Sequence, residues 1–390
     1  MPINIDEYLR HETYLARLAS ENINAIMTPA LSRTYSRVRQ LIAEGNIRTP
    51  LQLKRLVEQI NKAIIAESGW PELTAEMRSL AEYEADFQAG FISNSTEQSL
   101  SVPSVKQVRT FVDAATMSIT SGERVNTGVW TDFVDANLQS RLRQVLGIVR
   151  RGYSRQLPVS EIIRDVRQSV NGILLRETET LTRTGYQHFA NQARAAMAEA
   201  NPSVEMDVVF SAVFDNRTTL GCRALNGKRW PKGSPNIVEV PRHFNCRSSH
   251  LYLPSAEKLE GTRAAIGGQP GTDAKEAFEV REQRIRDAQR RRANEESPPK
   301  NLTKASRVKY RGRKDSDIFK AGQVRASTSQ DSWMRSQPAW FQDDALGPTR
   351  AKLLRSGEYD FNDFIDMSGR RLTINELKAR DSEIFKRLGL

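Results

Sequence analysis

The feature that most limits the possible folds is a stretch of about 200 residues at the start of the chain, in which apolar residues recur at helical spacing. Within it, Thr49 to Gln52 forms a capping-box pattern, and Trp70-Pro71 marks the start of another helix. Further helices are predicted at about 104–120, 130–152, 159–171 and 174–200. The pattern predicts a mainly α chain in which residues 1–203 form an elongated helical body.

The last of these helices carries small residues that would let a neighbouring helix approach closely. They are Gly185, Ala190, Ala193, Ala195 and Ala196. We therefore expect the helix over 174–200 to be packed tightly within the body.

The pattern changes after this helix, and residues 204–255 are predicted to form a small α+β module. Strand-like residues run from Val208 to Phe214 and again from His250 to Leu253, and Asn226-Gly227 is typical of a tight hairpin turn. About 50 residues give only a thin core. We expect the two strands to pair, and we expect the module to need either a metal or a covering helix, for which 174–200 is the nearest candidate.

The module contains both cysteines of the chain and a nearby histidine, so it is the candidate metal site. Thiolate and imidazole are ligands that zinc prefers, and Cys222, His243 and Cys246 would supply three of the four that a structural site needs. Asp215 or His250 would be the fourth. Two alternatives stay open, namely that the cysteines are plain buried thiols or that they pair as a disulfide.

Four further positions in the module have predicted structural roles. Asp215, at the end of a strand, can accept backbone N–H groups in a turn. Arg217 has enough donors to tie two loops together. Asn226 and Gly227 both tolerate positive φ and would form the turn. Arg247 either braces an opposite carboxylate or lies on the surface.

Residues 256–330 are predicted to be a basic linker or extended segment. Gly267 to Gly271 disfavour regular structure, so 261–271 is expected to be a loop, and 274–296 has the charge pattern of a helix. Between residues 281 and 314 there are 13 Lys/Arg against 4 Asp/Glu. This excess predicts either non-specific polyanion binding or a solvated charged linker. The candidate polyanion-binding residues are Arg290, Arg291, Arg292, Lys309, Arg311, Arg313 and Lys314.

Bulky apolar residues return in a C-terminal segment, 331–390. Trp333, Trp340 and Phe341 would either anchor the segment to a partner or form its own small core, and the sequence favours docking. Thr373 to Glu376 is another capping-box pattern, which begins a last helix. We expect the tail beyond about residue 296 to be dispensable for folding of the body.

Composition excludes several classes of protein. The chain has 390 residues with a net charge of +11 and no apolar run of 18 residues, so no membrane span is expected. The first residues lack the basic and apolar regions of a secretory signal. Two cysteines give no disulfide framework, which favours synthesis in a reducing cytoplasm.

The motifs of the module resemble those of the Mu F-type minor head proteins of tailed bacteriophages, also called phage head morphogenesis proteins. The resemblance lies in Asp215 to Thr218, in the turn from Leu225 to Lys228 and in His243 to Arg247. It covers about 145–255, and a second block runs from 333 to 377.

The chain departs from the family pattern at several positions. Gly185 replaces a helix Glu and Phe244 replaces a Pro. Thr219 and Ser248 stand where many members have two further cysteines.

The resemblance implies a non-enzymatic structural protein inside the capsid, made in the host cytoplasm. It would assist head assembly and accompany DNA during ejection, with portal, capsid or scaffold proteins and packaged DNA as partners. The alternative is a metal-dependent nuclease or toxin delivered with the phage genome, for which His243 and Asn245 would be site residues. Glu177 and Glu179 have the spacing of a transferase pair, but their helical setting favours a solvated face. No Gly-rich phosphate loop is present.

Overall fold

A computed structural model describes residues 3–122, 124–255, 257–270, 272, 279, 282, 318–366 and 370–390 of the chain. The fold is mainly α with a small α+β module, as the sequence predicts. Among the described helices, none combines the length and apolar character needed to span a bilayer. Apart from Glu279 and Glu282, the predicted charged helix at 274–296 lies outside the described residues, as do all the candidate polyanion-binding residues.

The body up to residue 203 is built from long helices joined by short connections. Its helices are α1 (Asp6–Asn22), α2 (Thr28–Glu44), α3 (Pro50–Ala66), α4 (Trp70–Ser95), α5 (Val105–Ala114), α6 (Trp130–Ser154), α7 (Val159–Ser169) and α8 (Leu175–Glu199). A π-turn precedes α2 at Ile23–Met27, and another joins α7 to α8 at Val170–Leu174. The predicted capping box at Thr49 is confirmed, since its side chain accepts a hydrogen bond from the backbone N–H of Gln52.

The small residues of α8 allow the close packing that the sequence predicts. A side chain at Gly185 would meet Trp130 at 2.6 Å and Met77 at 2.8 Å, so only glycine fits between them. Ala190 and Ala193 are fully buried in the same core. Helix α8 therefore lies at the centre of the body, against α4.

A buried ion network fastens α8 to α1 and α4. The guanidinium of Arg194 donates from Nε to Glu84 at 2.6 Å and also pairs with Glu12 and the hydroxyl of Tyr8. Glu84 also contacts the imidazole of His11. No pattern in the sequence points to this network, in which Arg194 and Glu84 are both completely buried.

A separate core defines what we call the helical lobe, formed by α2, α3, α7 and the second half of α6. Its buried residues include Leu31, Ile60, Val149, Ile162 and Val166. Helix α3 turns its apolar face, including Leu56 and Ile64, into this core.

The predicted helix over 104–120 is wrong beyond Ala114. Strands β2 (Thr116–Ser121) and β3 (Arg124–Val129) follow as an antiparallel hairpin. Met117 and Ile119 are buried while their neighbours are more exposed, which is the alternation of a strand and not the spacing of a helix.

The module folds around a three-stranded antiparallel sheet. Strand β4 (Met206–Ser211) lies between β5 (Arg229–Pro231) and β6 (Ser249–Pro254), and Val208 is opposite Tyr252. The predicted pairing of the strand that leads into the module with the strand that leads out of it, here β4 and β6, is therefore confirmed. A short helix, α9 (Leu220–Leu225), stands between β4 and β5. Helix α8 covers β6 through two side-chain amides. Gln187 donates to the carbonyl oxygen of Ser248, just before the strand, and Asn191 accepts the backbone N–H of His250.

The loop predicted at 261–271 is wrong for most of its length. Strand β7 (Leu259–Glu260) pairs with β1 (Ile3–Asn4), and β8 (Thr262–Gly268) pairs with β9 (Phe319–Arg325). The glycines have a packing role here, since a side chain at Gly268 would meet Trp340 at 2.7 Å. A glycine can remain in a strand where another group approaches its backbone closely.

The C-terminal residues form a small helical core of their own. Its helices are α10 (Gln330–Arg335), α11 (Ala339–Leu346), α12 (Pro348–Arg355), α13 (Ile374–Arg380) and α14 (Ser382–Leu388). Asp381 interrupts the predicted last helix between α13 and α14.

Trp333, Trp340 and Phe341 are buried in this core, so the docking interpretation of these aromatics is corrected in favour of the alternative, a core of the tail itself. The same core includes Phe214 and Leu220 of the module. The aromatic cluster therefore no longer supports the expectation that the tail is dispensable for folding of the body.

Candidate metal centre

Cys222, His243 and Cys246 converge at one point of the module. Their ligand atoms all lie within 4.8 Å of one another, and both cysteines are free and buried. The Sγ of Cys222 is 3.5 Å from Nε2 of His243. With zinc–sulfur and zinc–nitrogen bonds of about 2.3 and 2.0–2.1 Å, two ligands of a tetrahedral ion stand about 3.6 Å apart. The group can therefore hold a metal ion with little movement.

Two local elements position the cysteines. Thr219 caps α9 by accepting a hydrogen bond from the backbone N–H of Cys222, and this directs the thiol inward from the first turn. On the other side, the backbone N–H of Cys246 donates to the carbonyl of His243, which closes a tight turn. Asn245 occupies that turn with φ of 57°, and its N–H donates to Thr184 of α8. Helix α8 thus fixes the turn that carries His243 and Cys246.

The hydrogen bonds of His243 orient its ring for a metal. Nδ1 lies 2.9 Å from the carbonyl oxygen of Phe244, which can only accept, so Nδ1 carries the proton. The lone pair of Nε2 then points toward the Cys222 thiol and the Thr219 hydroxyl. A neutral imidazole held by its other nitrogen is the usual form of a histidine ligand.

The two thiols share a hydrogen bond that makes them unequal. That bond and burial both raise the pKa of Cys222, whereas the same bond lowers the pKa of Cys246 despite its burial. Backbone groups and the hydroxyl of Ser248 also favour the Cys246 thiolate. Burial lowers the pKa of His243, but the contact with Cys222 outweighs it and the net shift is upward. One thiolate is thus stabilised beside the imidazole.

Neither of the predicted fourth ligands joins the group. Asp215 lies outside it because both carboxylate oxygens accept from Arg247, at 2.6 and 3.0 Å. His250 is buried at the sheet, where its Nε2 lies 3.0 Å from the carbonyl oxygen of Val238. Burial lowers the pKa of His250 to about 4, so it stays neutral there. The tentative assignment of these two side chains as ligands is therefore corrected.

Thr219 and Ser248, where the resemblance would place two further cysteines, flank the cluster. The hydroxyl of Thr219 is 3.3 Å from Nε2 of His243, and Ser248 bonds the Cys246 sulfur. Thr219 and Ser248 line one small cavity with Cys222 and His243. A metal ion held by the three residues would therefore have hydroxyl groups beside its remaining ligand position.

Asp215 and Arg247 join the two halves of the motif, 215–218 and 243–247, by a salt bridge. Beside its two bonds to Arg247, Asp215 accepts the backbone N–H groups of Arg217 and Thr218, each at 2.9 Å. Burial raises the pKa of Asp215, but the hydrogen bond and charge of Arg247, together with the hydrogen bonds from Thr218 and Arg217, outweigh it and hold the pKa below its usual value. The predicted turn role of Asp215 and the bracing role of Arg247 are both observed.

The predictions for Arg217 and for the Asn-Gly turn need correction. The Arg217 side chain is exposed, and no described residue accepts a hydrogen bond from its guanidinium. Gly227 has φ of 82°, but Asn226 has φ of −58°, so only the glycine uses the left-handed region. The turn joins α9 to β5 and does not connect two strands. The Asn226 side chain accepts the backbone N–H of Ala212 instead.

Arg223, and not Arg217, connects two separate segments by hydrogen bonds. It is 2% exposed and donates to the carbonyls of Thr218 and Asp215, and to the side chain of Gln330 in α10. Sequence reasoning missed it, although a single charge within the apolar run of α9 was a usable signal. Arg223 therefore connects α9, which carries Cys222, to the C-terminal core.

The remaining candidate residues lie away from the cluster. Glu177 and Glu179 lie inside helix α8, as predicted, near its start. Glu177 accepts a hydrogen bond from Ser140, and Glu179 pairs with Arg183. Comparisons with protein-family models, with curated proteins and with solved structures gave no match. The geometry of the module therefore carries the functional argument by itself.

Proposed function

We propose that this chain is a non-enzymatic structural protein of a tailed-phage virion, a minor head protein of the type that its motifs resemble. In this proposal it lies inside the capsid near the portal, assists head assembly, and accompanies the DNA on ejection. The observation that supports it is the joining of the two motif halves by the Asp215–Arg247 pair and the Cys222–His243–Cys246 cluster. The residues on which the resemblance depends thus contact one another and stabilise the module.

We further propose that the cluster binds one structural zinc ion through Cys222, His243 and Cys246. A resident ion would supply cross-linking between α9 and the 243–246 turn, which a thin sheet core lacks. The supporting observations are a 3.5 Å sulfur–nitrogen separation and the proton-bearing Nδ1 of His243.

The zinc proposal is tested by metal analysis of protein purified without a histidine tag. We expect one zinc per chain, lost in Cys222→Ser/Cys246→Ser, and a lower melting temperature after chelation. Protein that contains no zinc after growth with added zinc would leave the two buried thiols as packing residues.

The virion assignment is tested by mass spectrometry of purified phage heads and by the identity of the neighbouring genes. Peptides of this chain in heads, and portal and terminase genes upstream, are the expected results; absence from heads refutes the assignment. If His243→Ala abolished a DNA-cleaving activity while the chain stayed folded, the nuclease alternative would replace it.

A further inference from the structure

Positive charge is concentrated in the helical lobe, a feature separate from the basic segment at 281–314. The lobe sequences, 28–66 and 139–175, contain fourteen Lys/Arg and four Asp/Glu, a net charge of +10. The basic segment adds +9, whereas the whole chain carries only +11, so the remaining residues sum to −8. A strongly polarised charge distribution attracts anions to the basic part.

A groove of about 490 Å³ runs across this lobe between α2 and α7. Its lining is rich in hydroxyl and other polar groups, contains two arginines and has no carboxylate. The hydroxyl groups belong to Thr28, Ser32, Tyr35 and Ser36, and the two arginines are Arg39 and Arg167. The groove thus offers hydrogen-bond donors and positive charge to an anionic ligand.

The two arginines stand on different helices, Arg39 on α2 and Arg167 on α7, and both are exposed. Neither forms a salt bridge with a described residue. Nearby arginines on the same two helices are already paired, since Arg33 forms a salt bridge with Glu67 and Arg164 with Glu161. Arg39 and Arg167 are therefore the guanidinium groups of the groove that can bind an external phosphate.

The dimensions of the groove suit an extended polyanion. Thr28, Ser32, Ser36 and Arg39 occupy successive turns along one side of α2, a span of about 16 Å at 1.5 Å per residue. Duplex DNA presents about ten phosphate charges over that length. The π-turn at Val170–Leu174 forms part of the opposite wall, and such turns occur often at functional sites.

We propose that this groove binds the sugar–phosphate backbone of double-stranded nucleic acid. Backbone binding follows from the lining, because hydroxyls and guanidiniums contact phosphates without reading sequence. Tyr35 is the one aromatic residue of the groove and packs partly into the lobe core, so no stacking platform for single strands is present in the groove. This inference does not depend on the proposed virion function or on a bound metal.

The test uses the full chain and a short duplex DNA, with affinity measured over a range of salt concentrations. Arg39→Ala/Arg167→Ala removes two phosphate contacts, so the slope of log K against log salt should fall by about 1.8, and affinity should fall roughly 60-fold at 0.1 M salt. Arg10→Ala/Lys106→Ala is the control, with the same change in net charge at exposed positions of α1 and α5. The control should leave the slope unchanged.

Equal losses in the two double variants would overturn the proposal, since they would show a general effect of net charge. Tighter binding of polyglutamate than of the duplex would also overturn it, in favour of an acidic protein partner. Arg39→Lys/Arg167→Lys should keep the salt slope, because lysine also neutralises phosphate. If the alanine variant were misfolded by circular dichroism, loss of the slope in a folded lysine variant would refute the groove.

Discussion

Replacing Glu84 with glutamine tests whether the buried ion network holds the body together. Glu84 is fully buried and accepts from Arg194, itself fully buried, at 2.6 Å. Glutamine keeps the size and an acceptor oxygen but removes the charge that balances the guanidinium. Breaking a buried pair by removing one partner costs about 3–5 kcal/mol. Because Glu12 remains beside Arg194, we expect a loss near the lower end, about 3 kcal/mol.

The assay is urea unfolding followed by circular dichroism, with Glu82→Gln as the matched control. Glu82 is on the same helix and pairs with Arg109, but that arginine is half exposed. Exposed pairs contribute about 0–1 kcal/mol, so the control should lose little stability. Equal small losses in both variants would refute the idea that burial makes the Glu84 network important.

The same network predicts a dependence on pH. Burial raises the pKa of Glu84, but Arg194 and His11 outweigh it and the pKa lies below its ordinary value of 4.5. A depressed carboxyl pKa contributes stability above the ordinary pKa and loses it as pH falls through the folded-state pKa. Wild type should therefore lose more stability on acidification below about pH 4.5 than Glu84→Gln. Parallel pH profiles would contradict this assignment.

Three further changes test the module and the C-terminal core. Thr219→Cys adds a thiol beside His243 and should tighten zinc binding in competition with a chelator; unchanged affinity would place Thr219 outside the ligand sphere. Asp215→Asn should cost about 1–3 kcal/mol in denaturant unfolding, because it leaves the turn and the partly exposed Arg247 without a carboxylate, and no loss would deny the brace. Trp333→Ala should cost about 3–5 kcal/mol, more than Trp230→Ala at its partly exposed site, and comparable losses would argue against a packed tail core.

The long helices and the sheet pairing could be predicted from the sequence because each depends on local signals. The capping box at Thr49 and the apolar stripe of α3 both depend only on residues of that helix and its N-terminal cap. The alternation in β2 is equally local, but it follows directly on α5 and was absorbed into the helical pattern. Strand β8 could not be predicted in this way, because Gly267 packs against Gln337 and Gly268 against Trp340, both about 70 residues away in sequence.

The candidate site shows the same division between local and distant information. Ligand types and the His243–Cys246 spacing are visible in the sequence, so the three converging residues could be predicted. The choice of a fourth ligand failed because it depends on competition for partners. Arg247 binds the Asp215 carboxylate, and the carbonyl oxygen of Val238 binds Nε2 of His250, so neither side chain is free to reach the cluster.

The short helix α9 connects the candidate metal centre to the rest of the molecule. All six of its residues are buried, and adjacent positions face different cores. Cys222 lies in the module core with Cys246, whereas Arg223 reaches Gln330, and Leu220 and Ala224 pack with the aromatic residues of the tail. A six-residue helix has little stability of its own, so its position depends on contacts on both sides. The motif residues and the C-terminal core therefore stabilise one another through α9, although about 100 residues separate them in the sequence.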